Sequence, residues 1–340
     1  MHVLAVIGKV VDTSEIDGAD NIVSIDVVCG KAGRWKAVVR KDEVKLGDVV
    51  RVYLQDAILP DREEFEFMKG RKMRVRICKF KGAYSECLVM PLRDGETEMW
   101  QVGDDVTEYE GVVKYEKQLP PGMTGDSAGS FPGFINRTDE VNFQSKEDLV
   151  EALKGKPYYI TVKYDGTSGT AYLLGTETGE IEYGVCSRNL RKKEGNNIYW
   201  NMAAKYELLK KLGLCKWGNP ELDGGGIALQ YEIVGPGIQK NPLGLSELEI
   251  RIFDGWLIGE RRYLDYTELR QFCIEFDLPM AEVVETGDSF NYNADELREL
   301  AVGKYDNGKQ REGIVIRPLR NMRLGWDRVS FKVINPNYKE

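Results

Sequence analysis

The residues Tyr158-Tyr159-Ile160-Thr161-Val162-Lys163-Tyr164-Asp165-Gly166-Thr167 read as a strand running into a turn. Two-residue alternation sets Thr161, Lys163 and Asp165 on one face, opposite Ile160 and Val162. An amine and a carboxylate then look into one site at a strand end, beside a glycine that permits a sharp turn. Three later strand-like segments add charge in the same way. Leu229–Gly235 offers Glu232 on the face opposite Tyr231 and Ile233, Arg311–Arg317 opens with Glu312, and Val329–Ile334 places Lys332 opposite Phe331 and Val333. Taken singly, a Lys-x-Asp-Gly tetrad is most often a surface turn and a strand glutamate an edge charge in a salt bridge. Taken in order, the four segments form a set able to do nucleophilic chemistry with lysine and carboxylates.

Composition narrows the alternatives. The one histidine is His2, at a terminus, which argues against Ser-His-Asp and Cys-His nucleophile pairs and against histidine-based metal sites. Cys29, Cys78, Cys87, Cys186, Cys215 and Cys273 contain no C-x-x-C pair, so neither a zinc knuckle nor a dithiol is expected, and the cysteines read as buried free thiols. The net charge of −8 does not announce a nucleic-acid binder, but binding depends on where basic residues lie, not on their sum. No leader or membrane span is read at Met1–Lys9, and an intracellular, cytoplasmic location is the default expectation.

The motif set resembles the covalent nucleotidyltransferase superfamily of ATP-dependent DNA and RNA ligases and mRNA capping enzymes. Lys163-Tyr164-Asp165-Gly166 is similar to its nucleotidyl-acceptor motif, and Ser187-Arg188-Asn189 to the motif that follows. Tyr231-Glu232-Ile233-Val234-Gly235 is similar to the central E-x-x-G element and Ile252-Phe253-Asp254 to the aromatic-bearing strand. Glu312-Gly313-Ile314-Val315 is similar to the E-G-x-V element and Phe331-Lys332 to the terminal lysine motif. The six elements stand in family order over about 170 residues, and the run from Glu232 to Asn241 resembles RNA ligases more than DNA ligases or capping enzymes.

The resemblance implies an ATP-dependent RNA ligase joining a 3′-hydroxyl to a 5′-phosphate, with ATP and Mg²⁺ or Mn²⁺ as cofactors. Lys163 would attack the α-phosphorus of ATP and expel pyrophosphate, AMP would pass to the RNA 5′-phosphate, and the 3′-hydroxyl would displace it. An ordinary lysine, with a pKa of about 10.4, is protonated at neutral pH and must first lose a proton. Asp165, Glu232 and Glu312 are hard oxygen ligands suited to the metal, through water or directly. Lys332 would stabilise charge on the α-phosphate, Phe253 would stack on adenine, and Arg188 would reach the ribose or an RNA phosphate. Two departures stand out: Ile334 takes the place of a second terminal-motif lysine, and Ser168 stands where another RNA ligase branch has asparagine. The expected partner is RNA, as a nicked duplex, sealed by a monomer. A DNA ligase and a non-catalytic OB-type RNA-binding protein are the competing readings.

These residues need elements to hold them. Residues 1–115 read as short strands at Val3–Val11, Ile22–Cys29, Trp35–Val39, Val49–Leu54, Met73–Phe80 and Ser85–Met90, suiting a small antiparallel barrel of the OB-fold kind. Lys69–Lys81 holds seven basic residues and no acidic one. As a strand it would put Arg74 and Arg76 on an outer face, so Arg74, Arg76, Lys79 and Lys81 are candidate RNA contacts, with a solvated edge strand as the alternative. Residues 116–136 are rich in Pro, Gly and Ser and read as a linker. Residues 137–340 read as mixed α and β, with helices at Ser145–Leu153, Asn201–Leu212, Thr267–Phe276 and Asn293–Ala301, the last opened by an Asn293/Glu296 capping box. Strands are expected at Tyr158–Lys163, Thr170–Leu174, Ile227–Val234, Glu249–Ile258, Gly313–Arg317 and Val329–Ile334. An α+β chain results: an OB barrel first, then a nucleotidyltransferase domain of antiparallel sheets with flanking helices. That order resembles the Naegleria-type branch of RNA ligases, since DNA ligases and capping enzymes carry their OB domain after the terminal lysine motif.

Overall fold

A computed structural model describes residues 3–115, 123–137, 139–176, 178–218 and 225–338. The opening residues of the expected linker, 116–122, and His2 lie outside them. The chain divides into two compact units, one of Met1–Lys117 with Val141–Glu151 and Ile334–Asn337, the other of Gln118–Glu140, Ala152–Val333 and Tyr338–Glu340. No helix among the described residues is long and apolar enough to cross a membrane. The six cysteines are unpaired, and five of them are buried.

In the first unit Ala5–Glu15, Ile22–Val28, Arg34–Arg40, Val49–Tyr53 and Leu88–Pro91 build one antiparallel sheet in the spatial order third, second, first, fourth, fifth. Alternation makes one face of these strands apolar, and Val6, Val10, Ile25, Val27, Trp35, Ala37 and Val52 fill a core beneath it. A bulge between Val10 and Asp12 lets the long first strand bend while Val11 turns outward.

The basic segment corrects one expectation. A strand over Met73–Phe80 forms only at Cys78–Phe80, after a 3-10 helix from Glu63 to Arg71. Lys72 and Met73 both adopt left-handed conformations, with φ of 55° and 57°, and so turn the chain away from the extended path. Arg74 does not face outward: it is 5% exposed, donates to Asp56 at 2.6 Å and lies 3.6 Å from the Tyr115 ring centroid. Lys79 packs over the Tyr84 ring at 4.3 Å, and exposed Lys81 opens a tight hairpin turn with Gly82, both at positive φ, as a type I′ turn requires.

Among the described residues the second unit holds two large sheets. The larger includes Ile181–Ser187, Thr167–Gly175, Gly226–Val234 and Glu249–Leu257 side by side, all antiparallel. Helices Ile198–Lys205, Leu208–Leu214 and Tyr266–Glu275 cover one face, burying Leu208, Leu212, Leu269 and Phe272 against Ala171, Leu229, Tyr231 and Ile252. The smaller includes Phe331–Ile334, Gly313–Pro318, Tyr158–Lys163 and Val283–Gly287 in that order. A single helix expected over Asn201–Leu212 is two: Asn197 caps the first by accepting from the amides of Tyr199 and Trp200, and Glu207 at φ 50° breaks the run. The Asn293/Glu296 capping box is formed, and Asp265 with Glu268 makes a second one.

Candidate active site

Lys163 is the last residue of its strand, and four residues later the chain enters the other sheet at Thr167. The acceptor segment is therefore the crossover between the two sheets of the second unit. Gly166 is required there. A Cβ at this position would stand 2.4 Å from the Ile233 carbonyl oxygen, 2.6 Å from Glu232 Cγ and 3.0 Å from Glu232 Oε1, so the crossover lies directly against the strand that carries Glu232. Ladder pairing of Ser168 with Glu232 fixes that register, and a one-residue slip would turn Glu232 to the other face.

Register also brings Glu312 in. Lys163 pairs with Gly313 across antiparallel strands, so Glu312 falls just beyond the strand end, and Lys163 Nζ donates to Glu312 Oε2 at 2.7 Å. The hydroxyl of Tyr305 ties the two main chains together: it donates to the Lys163 carbonyl at 3.5 Å and accepts from the Glu312 amide at 3.4 Å. Its ring stacks on Tyr164, with centroids 6.0 Å apart and an 11° interplanar angle. Burial and the nearby Glu312 charge hold the Tyr305 phenol above its ordinary range.

Asp165 is 1% exposed and accepts a hydrogen bond from the Tyr338 hydroxyl. Burial and the Asp165 charge push the Tyr338 phenol well above its ordinary range, so it stays a donor. A third contact comes from the turn after Gly235. Gln239, Lys240 and Asn241 all have positive φ, at 45°, 59° and 49°, a strained run of the kind that persists only where surroundings over-determine it. Asn241 locks the turn by accepting from the Leu245 amide and donating to the Leu245 carbonyl, and Gln239 Nε2 reaches the Gly166 carbonyl at 3.4 Å.

The remaining candidates occupy separate positions. Lys332 lies on a strand separated from that of Lys163 by the Gly313–Pro318 strand, half-buried and alternating with buried Phe331 and Val333. Phe253 packs with Val162, Tyr164, Val234 and Tyr305 under the acceptor strand. Arg188 is exposed and paired with Asp139. Arg328 pairs with Asp254 and donates to Asn321 at 2.8 Å. The neighbouring Arg317 donates to Glu140 and to the Phe253 carbonyl at 2.8 Å, so Glu140, Asp254, Arg317 and Arg328 form a buried charge network behind the aromatic-bearing strand. Sequence reading missed Tyr305, Tyr338 and this network, because most of the partners are separated by about 70 to 180 residues and carry no local spacing signal.

Among the described residues no three acidic, histidine or cysteine side chains converge as a ready-made cage. What the site offers is carboxylate oxygen from three separate segments, the crossover at Asp165, the strand that carries Glu232 and Glu312 just before its strand, which fits a hard cation that keeps waters and takes one or two carboxylates together with substrate phosphates.

Comparison with known proteins agrees with this arrangement. A model of the RNA ligase family matches residues 156–334, and a model of an OB-fold domain matches residues 4–92. Among curated proteins no match was found. Structures of the Naegleria gruberi RNA ligase align along almost the whole chain. A variant with ATP and Mn is 28% identical over 98% of this chain and 97% of that chain, with a TM-score of 0.80. A variant with AMP and Mn gives the same values, and the ligase with PPi is 27% identical at a TM-score of 0.80, with the same coverage. The N-terminal sheet is thus an OB-fold and the two-sheet unit a ligase domain. Since the family model spans more than half of the chain and takes in the lysine, both glutamates and the strands that align them, this chain belongs to the RNA ligase family.

Proposed function

We propose that the protein is an ATP-dependent RNA ligase that seals a 3′-hydroxyl to a 5′-phosphate through lysyl-AMP and RNA-adenylate intermediates, in the repair of nicked duplexes. The observation that supports this reading best is the Lys163–Glu312 pair at 2.7 Å, set at a sheet crossover with Asp165 and Glu232 on either side of Gly166. The Naegleria ligase structures hold ATP, AMP and Mn, which supports ATP and a divalent cation as this chain's cofactors.

Lys163 is the nucleophile. Attack on the α-phosphorus needs Nζ as a neutral amine with its lone pair free, so an ammonium paired with Glu312 must first give up a proton, to the carboxylate or to water. Asp165, Glu232 and Glu312 would hold the cation, which supplies charge neutralisation at the phosphates. Lys332 stabilises charge developing on the α-phosphate. Phe253 walls the adenine site from within the Tyr164 and Tyr305 cluster, and Arg188 serves the ribose or an RNA phosphate. The leaving pyrophosphate takes the electron pair of the broken P–O bond, AMP then moves to the RNA 5′-phosphate, and the 3′-hydroxyl expels it to form the phosphodiester.

Incubation with α-labelled ATP and Mg²⁺ tests the first step. The wild-type chain takes up acid-stable label and Lys163→Ala takes up none. Label that persists in Lys163→Ala, or its absence from the wild type, overturns the proposal. Nicked duplexes with RNA or DNA at the 3′-hydroxyl then test the substrate, and preferential sealing behind a DNA end would reject RNA.

A further inference from the structure

Between the strand led by Glu312 and the strand that carries Lys332, the chain makes a small hairpin. Arg323–Leu324 pairs with Asp327–Arg328, and the two turn residues are Gly325 and Trp326. Gly325 has φ of 60°, which suits the first position of a type II′ hairpin turn and leaves the second to any side chain. That side chain is an indole in water. Trp326 is 95% exposed, and the next most exposed large apolar residue among those described is Leu214 at 66%. An indole buries roughly 150–250 Å² when it meets a partner, so no other surface position in the described chain gives up as much apolar burial.

The hairpin is held stiffly at its root. Arg328 pairs with buried Asp254, donates to Asn321 at 2.8 and 3.1 Å, and lies 3.6 Å over the Tyr263 ring. Asn321 donates in turn to the Leu264 carbonyl at 2.6 Å, and the Val329 amide bonds the Met322 carbonyl at 2.9 Å. A tip anchored this way loses little freedom on binding. Its surroundings are basic: Arg320 and Arg323 are exposed on the same excursion, with Asp327 the one acidic residue between Arg320 and Arg328. On a chain of net charge −8, a flat π surface on the same excursion as two exposed guanidinium groups has the chemistry of a base-stacking platform with phosphate contacts.

We propose that Trp326 is the stacking platform of an RNA subsite separate from the adenylation pocket, taking the face of an unpaired base while Arg320 and Arg323 meet the adjoining phosphates. This rests on the RNA ligase reading. Lys163 pairs with Gly313 at one end of the Gly313–Pro318 strand and the excursion to the hairpin leaves from the other, so about 17 Å of strand separates the proposed nucleophile's partner from the start of that excursion. At about 3.4 Å per nucleotide, a span of that length covers roughly five nucleotides.

Fluorescence anisotropy with 5′-phosphorylated single-stranded RNA of twelve and of four nucleotides tests the subsite. Trp326→Ala weakens binding of the twelve-mer by about tenfold or more, since base stacking on an aromatic is worth roughly 1–3 kcal/mol. Trp326→Phe retains most of the affinity, and Trp326→Leu, apolar but without a π face, does not. Wild type and Trp326→Ala bind the four-mer alike, and Arg323→Ala lowers the salt dependence of twelve-mer binding. Unchanged twelve-mer affinity in Trp326→Ala overturns the platform, as does full affinity in Trp326→Leu. So does a wild-type dimer in sedimentation that Trp326→Ala dissolves, because the indole would then be a protein contact. The ligase reading fails by a different result, the absence of adenylate on wild-type Lys163.

Discussion

The hydroxyl of Tyr338 donates to the carboxylate of Asp165, 173 residues earlier in the chain. Asp165 sits two residues from Lys163, the proposed nucleophile, and is almost wholly buried, where a carboxylate needs donors to remain charged. Tyr338 supplies one from outside every motif. Hydrogen bonds to charged groups contribute about 1.5–3 kcal/mol to stability, so Tyr338→Phe is expected to lower thermal stability by that order and to slow lysyl-adenylate formation by about tenfold, with little change in ATP KM. Single-turnover adenylation checks this, and Tyr338→Phe combined with Asp165→Asn is expected to lose less than the product of the single losses.

Glu312 is expected to matter through charge and not only through shape. Glu312→Gln keeps a donor–acceptor contact with Lys163 but removes the negative charge, and its adenylation rate is expected to fall by about a hundredfold or more. A variant within about threefold of wild type would assign the 2.7 Å pair to structure alone.

Gly166→Ala places a methyl 2.4 Å from the Ile233 carbonyl oxygen and 2.6 Å from Glu232 Cγ. Backbone on one side and a site residue on the other leave no soft direction for relief. Overpacking of this kind costs about 1–3 kcal/mol, so thermal melting is expected to drop by several degrees. Activity is expected to fall further than stability, because Glu232 moves. Equal activity in folded protein would mean the crossover can shift freely.

Asp254→Ala leaves Arg328 without its carboxylate and removes a second partner 3.6 Å from Arg317. Breaking one side of a buried ion pair costs about 3–5 kcal/mol, which for a unit of this size lowers Tm by roughly 10 °C. Differential scanning calorimetry measures it directly. A shift under about 2 °C would show that water reaches the network.

Arg74 is a poor probe of RNA binding, since it is paired to Asp56 in the interior. Arg74→Glu is expected to destabilise the OB unit by about 3 kcal/mol or more through an unpaired buried charge. Lys81→Glu, at an exposed hairpin tip, is expected to leave stability within about 0.5 kcal/mol and to lower RNA affinity and its salt slope if that tip tracks phosphate. Chemical denaturation and salt titration separate the two.

The sequence by itself determined the strands and the order of the chemistry on them. Near-continuous apolar runs mark Tyr158–Lys163, Gly226–Val234 and Gly313–Pro318, which are buried along almost their whole length, and each carries or adjoins its charged residue at a fixed place in the run. The Asn293/Glu296 cap was equally legible, because both halves of its signal lie within one turn. Local pattern failed where a distant partner decided the outcome. Arg74 looked like an outward strand residue until Asp56 and Tyr115 drew it inward. Glu207 broke a helix through a left-handed backbone that glutamate does not announce. Only the tertiary structure paired Lys163 with Glu312, set Tyr305 between their main chains and brought Tyr338 to Asp165. Those contacts depend on which strands lie side by side and in what register, which is fixed by burial across the whole unit and not by any one segment.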